Sequence, residues 1–231
     1  MKKIVLLVAL TAALTAGAGP AHATDECKGL MVCVPVAGPW VAVPIGASVP
    51  RPKVEWQLTC PRGYIVGGLD AELSVRGIDI SFIATLGSPV NPGITTARSV
   101  VFVASYVGAT ARAPSFRPHI GCMPASGGGR IPTALRIVKP GQPTVRRVKT
   151  FRVRPGARTV ASGCRSGEVL VDASYGFAFR TRQPPSASVI GTVSGARRIS
   201  GSRVLVSLQG DAELGRIPAL VQVHAVCSRV R

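Results

Sequence analysis

Between Asp79 and Glu168 the chain has no acidic residue, and its 231 residues hold only 10 Asp and Glu against 28 Lys and Arg, a formal net charge of +18. That shortage excludes an acidic, cation-collecting surface and makes anionic partners the electrostatically favoured class. Aromatic residues are 5% of the chain, too few to offer many stacking platforms, which argues against nucleic acid as the cognate partner. Histidine is scarcer still: of the three, His22 lies in the leader, so imidazole chemistry rests on His119 and His224. No Cys-x-x-Cys pair, Gly-x-Ser-x-Gly elbow or phosphate-loop Lys-Ser or Lys-Thr is present, so neither a metal nor a cofactor is expected. After residue 13 no apolar run approaches the ~20 residues of a membrane-spanning helix, so no transmembrane segment is expected.

Lys2-Lys3, the apolar run Ile4–Ala13 and the triplet Ala21-His22-Ala23 have the charged, hydrophobic and cleavage regions of a secretory signal peptide, bacterial in style. The expectation is a cleaved signal peptide at residues 1–23 and a protein that is secreted, extracellular or periplasmic. All six cysteines follow this leader, and an even count in an exported chain reads as a disulfide framework.

Two Cys-to-Cys intervals are nearly equal: 62 positions from Cys60 to Cys122, and 63 from Cys164 to Cys227. Gly63-Tyr64-Ile65-Val66 follows the first opening Cys and Gly167-Glu168-Val169-Leu170 the second. His119 and His224 each sit three residues before the closing Cys, and Cys33-Val-Pro-Val-Ala-Gly is echoed by Cys122-Met-Pro-Ala-Ser-Gly. The pattern predicts a tandem duplication, with a first β unit at 24–122 and a second at 123–231. It favours Cys60–Cys122 and Cys164–Cys227 bridges and leaves Cys27–Cys33 as a small local loop.

Proline density from Cys33 to Pro52 excludes a helix there. Val54, Trp56 and Leu58 alternate with Glu55, Gln57 and Thr59 as on a half-buried strand. Strand-like stretches follow at Leu73–Leu86, Arg98–Val107 and Phe116–Cys122. In the second half they fall at Thr133–Val138, Thr144–Val153, Glu168–Phe179, Ser188–Val193, Arg203–Leu208 and Ala219–Cys227, with Ser194–Gly201 read as turn. No later stretch keeps helical apolar spacing, so the fold class is all-β, two disulfide-closed sandwich-like units. The Cys spans invite comparison with immunoglobulin domains, yet no Trp lies within either span.

Charge is distributed unequally. Residues 24–122 hold 8 Lys and Arg with 6 Asp and Glu, whereas residues 123–231 hold 18 and 4. Ten cations lie from Arg130 to Arg165 without a carboxylate, including Arg136, Lys139 and Arg158. The densest segment carries Arg146, Arg147, Lys149, Arg152 and Arg154, either with both strand faces wet or with a bulge near Thr150–Phe151 resetting the phase. Guanidinium pairs well with carboxylate, sulfate and phosphate, so these five are the candidate polyanion-binding residues, with anionic polysaccharide or another envelope polymer as partner.

The expected function is therefore a secreted, non-enzymatic binding or structural protein, with no catalytic residue assigned; the sequence specifies no oligomeric state. One alternative is a secreted hydrolase using His119 or His224 with Asp70, Glu72 or Asp172, where Asp172 is taken as the counterpart of Asp70. Another is a protein-binding or inhibitor module presenting the loop Pro89–Ile94 or Arg180–Pro185. Gly127-Gly-Gly129-Arg130 reads as a flexible connection.

Overall fold

The computed structural model describes residues 24–84, 98–109, 113–125 and 144–229. The expected leader, the loop Pro89–Ile94, the connection at 127–130, the strand expected at Thr133–Val138 and the cations Arg130, Arg136 and Lys139 lie outside these residues. Within them the chain is nearly all antiparallel β, with one short α-helix and one 3-10 turn. No helix among the described residues is long and apolar enough to cross a membrane.

The Pro-punctuated lead forms β1 (Val34–Ala37) and β2 (Trp40–Ala42). Alternation then builds β3 (Lys53–Thr59), with Val54, Trp56 and Leu58 buried on one face. β4 (Tyr64–Leu73) and β5 (Ile78–Ile83) replace the single strand expected at Leu73–Leu86. They turn through Gly77, whose φ of 84° suits a residue without a Cβ. β6 (Ser99–Tyr106) and β7 (Ser115–Pro124) complete the first half.

The second half comprises β8 (Thr144–Arg152), β9 (Gly156–Gly163), β10 (Glu168–Phe179), α1 (Ala187–Gly191), β11 (Val193–Ser200), β12 (Arg203–Gly210) and β13 (Ala219–Arg229). Two expectations are corrected here. Ser188–Val193 is mostly the helix α1, because Ser186 caps it by accepting from the Val189 N–H, overriding the strand preference of Val and Ile. Ser194–Gly201, read as turn from its Gly and Ser, lies mostly in β11, paired in unbroken register with β12.

Six strands of each half pair in the same order, β1 and β3–β7 in the first and β8–β13 in the second, while β2 has no counterpart. β4 pairs β7 with a slip between Val66 and Gly68 opposite Cys122 and Gly121; β10 pairs β13 with a slip between Leu170 and Asp172 opposite Cys227 and Val226. Thr59 of β3 faces Ser99 of β6 as Gly163 of β9 faces Arg203 of β12. In each half a three-stranded sheet, β3-β6-β5 or β9-β12-β11, packs on part of a longer sheet, β1-β7-β4 or β8-β13-β10.

One core gathers Trp56, Phe102, Phe116 and Ile120, with Ala178 reaching in from the second half; the other gathers Phe179, Val204, Val206, Val221 and Val223. Disulfides Cys60–Cys122 and Cys164–Cys227 tie the two layers of each half, and Cys27–Cys33 closes the amino-terminal loop. The stretches 24–122 and 123–231 are nevertheless stitched together. Val41 of β2 pairs with Phe116 of β7 on one side and Ala178 of β10 on the other, so one seven-stranded sheet runs through both.

Each long bridge restricts the unfolded chain. Replacing Cys164 and Cys227 together by Ala is expected to lower unfolding free energy by about 4 kcal/mol on the chain-entropy model, read from the denaturant midpoint and slope together, the slope rising as the unfolded chain expands.

Candidate functional site

Glu55 and Gln57 point away from their own core and, with Val103 and Val101 opposite them on β6, form a face that meets the second half. The surface they meet carries Ser174 of β10, Gln222 and His224 of β13, and Arg146 and Thr150 of β8. Arg146 grips both oxygens of Glu55 through its two terminal nitrogens, and the Ser174 hydroxyl donates to Glu55 Oε2 at 2.5 Å. Burial pushes the Glu55 carboxyl up, but the hydrogen bonds from Arg146 and Ser174 outweigh it and hold the group below its ordinary value.

His224 completes the cluster and is 0% exposed. Its Nδ1 lies 3.1 Å from Arg146 Nη1, which can only donate, so Nδ1 accepts and Nε2 carries the proton toward Gln222 Oε1 at 2.9 Å. The same Oε1 accepts the Gln57 N–H at 2.6 Å, while Gln222 Nε2 donates to Gln57 O and to Thr150 Oγ1. Burial lowers the His224 pKa to about 4, with Glu55 partly opposing and Arg146 reinforcing the shift. The ring is thus neutral and buried, and its two partners, Arg146 and Gln222, both of the second half, carry the bonds to Glu55 and Gln57 of the first.

His119 sits at the matching place. It lies opposite Asp70 in register as His224 lies opposite Ser174, so Ser174 is the counterpart of Asp70. Asp172 instead stands opposite Val226 and spends Oδ1 on the Ala173 N–H. This corrects the expected equivalence of Asp70 with Asp172, because the register slips at the same place in both strand pairs. His119 Nε2 lies 2.8 Å from Glu72 Oε1, in ion-pair range but off the angle of a hydrogen bond, and Nδ1 lies 3.7 Å from Glu26 Oε1. Arg117 stands 3.7 Å from the same Glu72 oxygen. Glu26 arrives on the amino-terminal loop, whose backbone lies so close that a Cβ on Gly68 or Gly121 would come within 1.8 or 2.0 Å of its carbonyl oxygen.

The five basic residues divide by role. Arg146 is committed to Glu55, and Arg147 makes two hydrogen bonds to Glu168, at 3.0 and 2.5 Å. Arg147, together with the Arg165 N–H, pulls the Glu168 carboxyl down to about 2. Lys149, Arg152 and Arg154 are exposed and make no ion pair among the described residues. Register from Thr144 to Arg152 is continuous, so no bulge interrupts β8, and its cations lie on both faces of an edge strand.

No Ser, Thr or Cys side chain hydrogen-bonds to either imidazole among the described residues. The one described group with metal-ligand spacing is Cys164, Glu168 and Cys227, and its two sulfurs are bonded to each other. The sequence does not mark Glu55, Ser174 and Gln222 as parts of one cluster. Their signal was a polar residue at alternating places in a Val-rich strand, as in Gln222-Val-His224. A scan against protein-family models and a search of curated proteins return no match.

Between its unfolded value near 6.5 and its folded value of about 4, His224 binds more proton in the unfolded chain. Stability is therefore expected to fall as pH drops through that window, by on the order of 3 kcal/mol, measured by urea unfolding at pH 7.5 and pH 4. Glu168 continues the loss from about 4.5 toward about 2, where its paired carboxylate finally takes a proton. Glu55→Ala leaves the Arg146 guanidinium half-buried without its carboxylate, and is expected to cost about 3 kcal/mol in the same assay.

Proposed function

We propose that this is an exported, non-enzymatic binding or structural protein, built from a repeated β unit, that contacts anionic extracellular or cell-envelope polymers through its second half. The matching registers of the two halves support the repeat. Three disulfides suit an oxidising compartment. The first residues after the expected cleavage point are already tied in, since the Asp25 N–H donates to Asp70 Oδ2 at 2.7 Å.

The observation that carries the reading is the division among the cations. Arg146 and Arg147 hold the fold, whereas Lys149, Arg152 and Arg154 stay exposed at a sheet edge without ion-pair partners among the described residues. An exposed cation that is not neutralised within the protein keeps its charge for an external anion. The hydrolase alternative would need a substrate to reach His119 or His224, which are 5% and 0% exposed.

Replacing Lys149, Arg152 and Arg154 together by Glu tests the proposal on immobilised polyglutamate and on purified envelope polymer at low salt. Near an anionic surface each cation contributes about 1 kcal/mol, so removing three predicts at least about 100-fold weaker binding. The melting temperature should hold, because these side chains support no described contact. Retention equal to that of the parent protein rejects the proposal.

A further inference from the structure

Two clefts meet beside β2, where the halves join. One, of about 480 Å³, is lined by Arg117, Arg180, Thr181 and Arg182 against residues 37–39. The other, of about 630 Å³, is lined by Trp40, Asp70, Glu72, Ser74 and Gln183. Both fall within the range of about 300–1,000 Å³ usual for small-ligand sites. They are neighbours, because the segment 180–184 walls both and Arg117 in the first stands 3.7 Å from Glu72 in the second.

The chemistry of the pair is asymmetric. Arg180 and Arg182 are exposed and make no ion pair among the described residues, while Arg117 spends its Nε on Gly38 O. Three guanidinium groups around one cleft suit a single carboxylate, sulfate or phosphate ester. Across the boundary the lining changes to acceptors and an amide, with Trp40 as an aromatic wall. The Trp40 indole is 3% exposed, and its Nε1–H has no partner among the described residues. Carboxylates and an amide suit the hydroxyls of a sugar. Those same carboxylates would repel a chain that carries charge at every unit.

We infer that this double cleft binds an acidic saccharide within a sparsely charged glycan, its anionic group on Arg117, Arg180 and Arg182 and its hydroxyls on Asp70, Glu72 and Gln183. The inference rests on the polymer reading for the source of the ligand and uses different residues. The two places can serve one chain. Arg152 pairs with Leu220, and Leu220 pairs with Ala178, two residues before Arg180. Two strand spacings, about 10 Å, therefore separate the end of β8 from the end of β10.

The test uses a hyaluronate tetrasaccharide, whose carboxylates alternate with neutral sugars, and polyphosphate as the densely charged comparison. Arg180→Ala with Arg182→Ala, both on an exposed segment, is expected to weaken calorimetric binding of the tetrasaccharide at least tenfold and polyphosphate retention less than threefold. Gln183→Ala should weaken the tetrasaccharide and leave polyphosphate unchanged. A tetrasaccharide that binds parent and double variant equally, or does not bind the parent, overturns the inference. So does polyphosphate that displaces the tetrasaccharide from the cleft at equal anion concentration. If the β8 charge reversal leaves polymer retention intact while the cleft variant loses the tetrasaccharide, the polymer reading falls and the cleft stands; the opposite pattern removes the cleft alone.

Discussion

The pairing of Glu55 with Arg146, and through it with His224, sets how the two halves sit. The apolar cores could be assembled in many orientations, since burial of Val and Phe is non-directional. A carboxylate held by a two-pronged guanidinium and a serine hydroxyl has one geometry. Gln57 and Gln222 exchange backbone and side-chain bonds beside it, so the face between the halves is specified by polar contacts as well as packing. Such a network need not add much net stability, because desolvating its members costs nearly what pairing them returns. Its effect is on uniqueness, and it accounts for a histidine kept neutral at complete burial.

The same arrangement recurs at the other end of the long sheet with different parts. Glu26 stands 3.7 Å from His119 Nδ1, and Glu55 stands 3.7 Å from His224 Nδ1. In the second half the carboxylate is supplied by a neighbouring sheet; in the first it comes from a short loop closed by Cys27–Cys33. The loop covers a face that would otherwise present a buried-type histidine to water. Matching sequence positions are thus matching structural positions, with different partners.

Much of the fold was legible because period-two alternation reports burial directly, as in Val54-Glu-Trp56-Gln-Leu58. The cysteine intervals were equally plain, since a bridge between layers needs one residue at each end of a fixed span. β4 was harder to see: Gly67-Gly68 resembles a turn, yet glycine is there because the Glu26 backbone presses on the strand. β11 was missed for a similar reason, its Ser and Gly being compatible with the outer face of a sheet. The candidate site was less legible still. Local spacing showed ten cations without an acid, but the acids that neutralise Arg146 and Arg147 are 91 and 21 residues away. Only the folded register shows which charges are already used.

The matched registers also set what each outer face could receive. Thr159 occupies on β9 the place Glu55 holds on β3, and Ala161 the place of Gln57; Ser207 stands where Val103 does. The outer face of β9-β12-β11 therefore lacks the carboxylate, the amide and an apolar contact through which the first half receives the second. A series of such units could lengthen only while each outer sheet offered an acid to the next histidine. Among the described residues Thr159 offers no carboxylate at one end and Glu26 already stands beside His119 at the other, so neither outer face repeats the pairing that joins the halves.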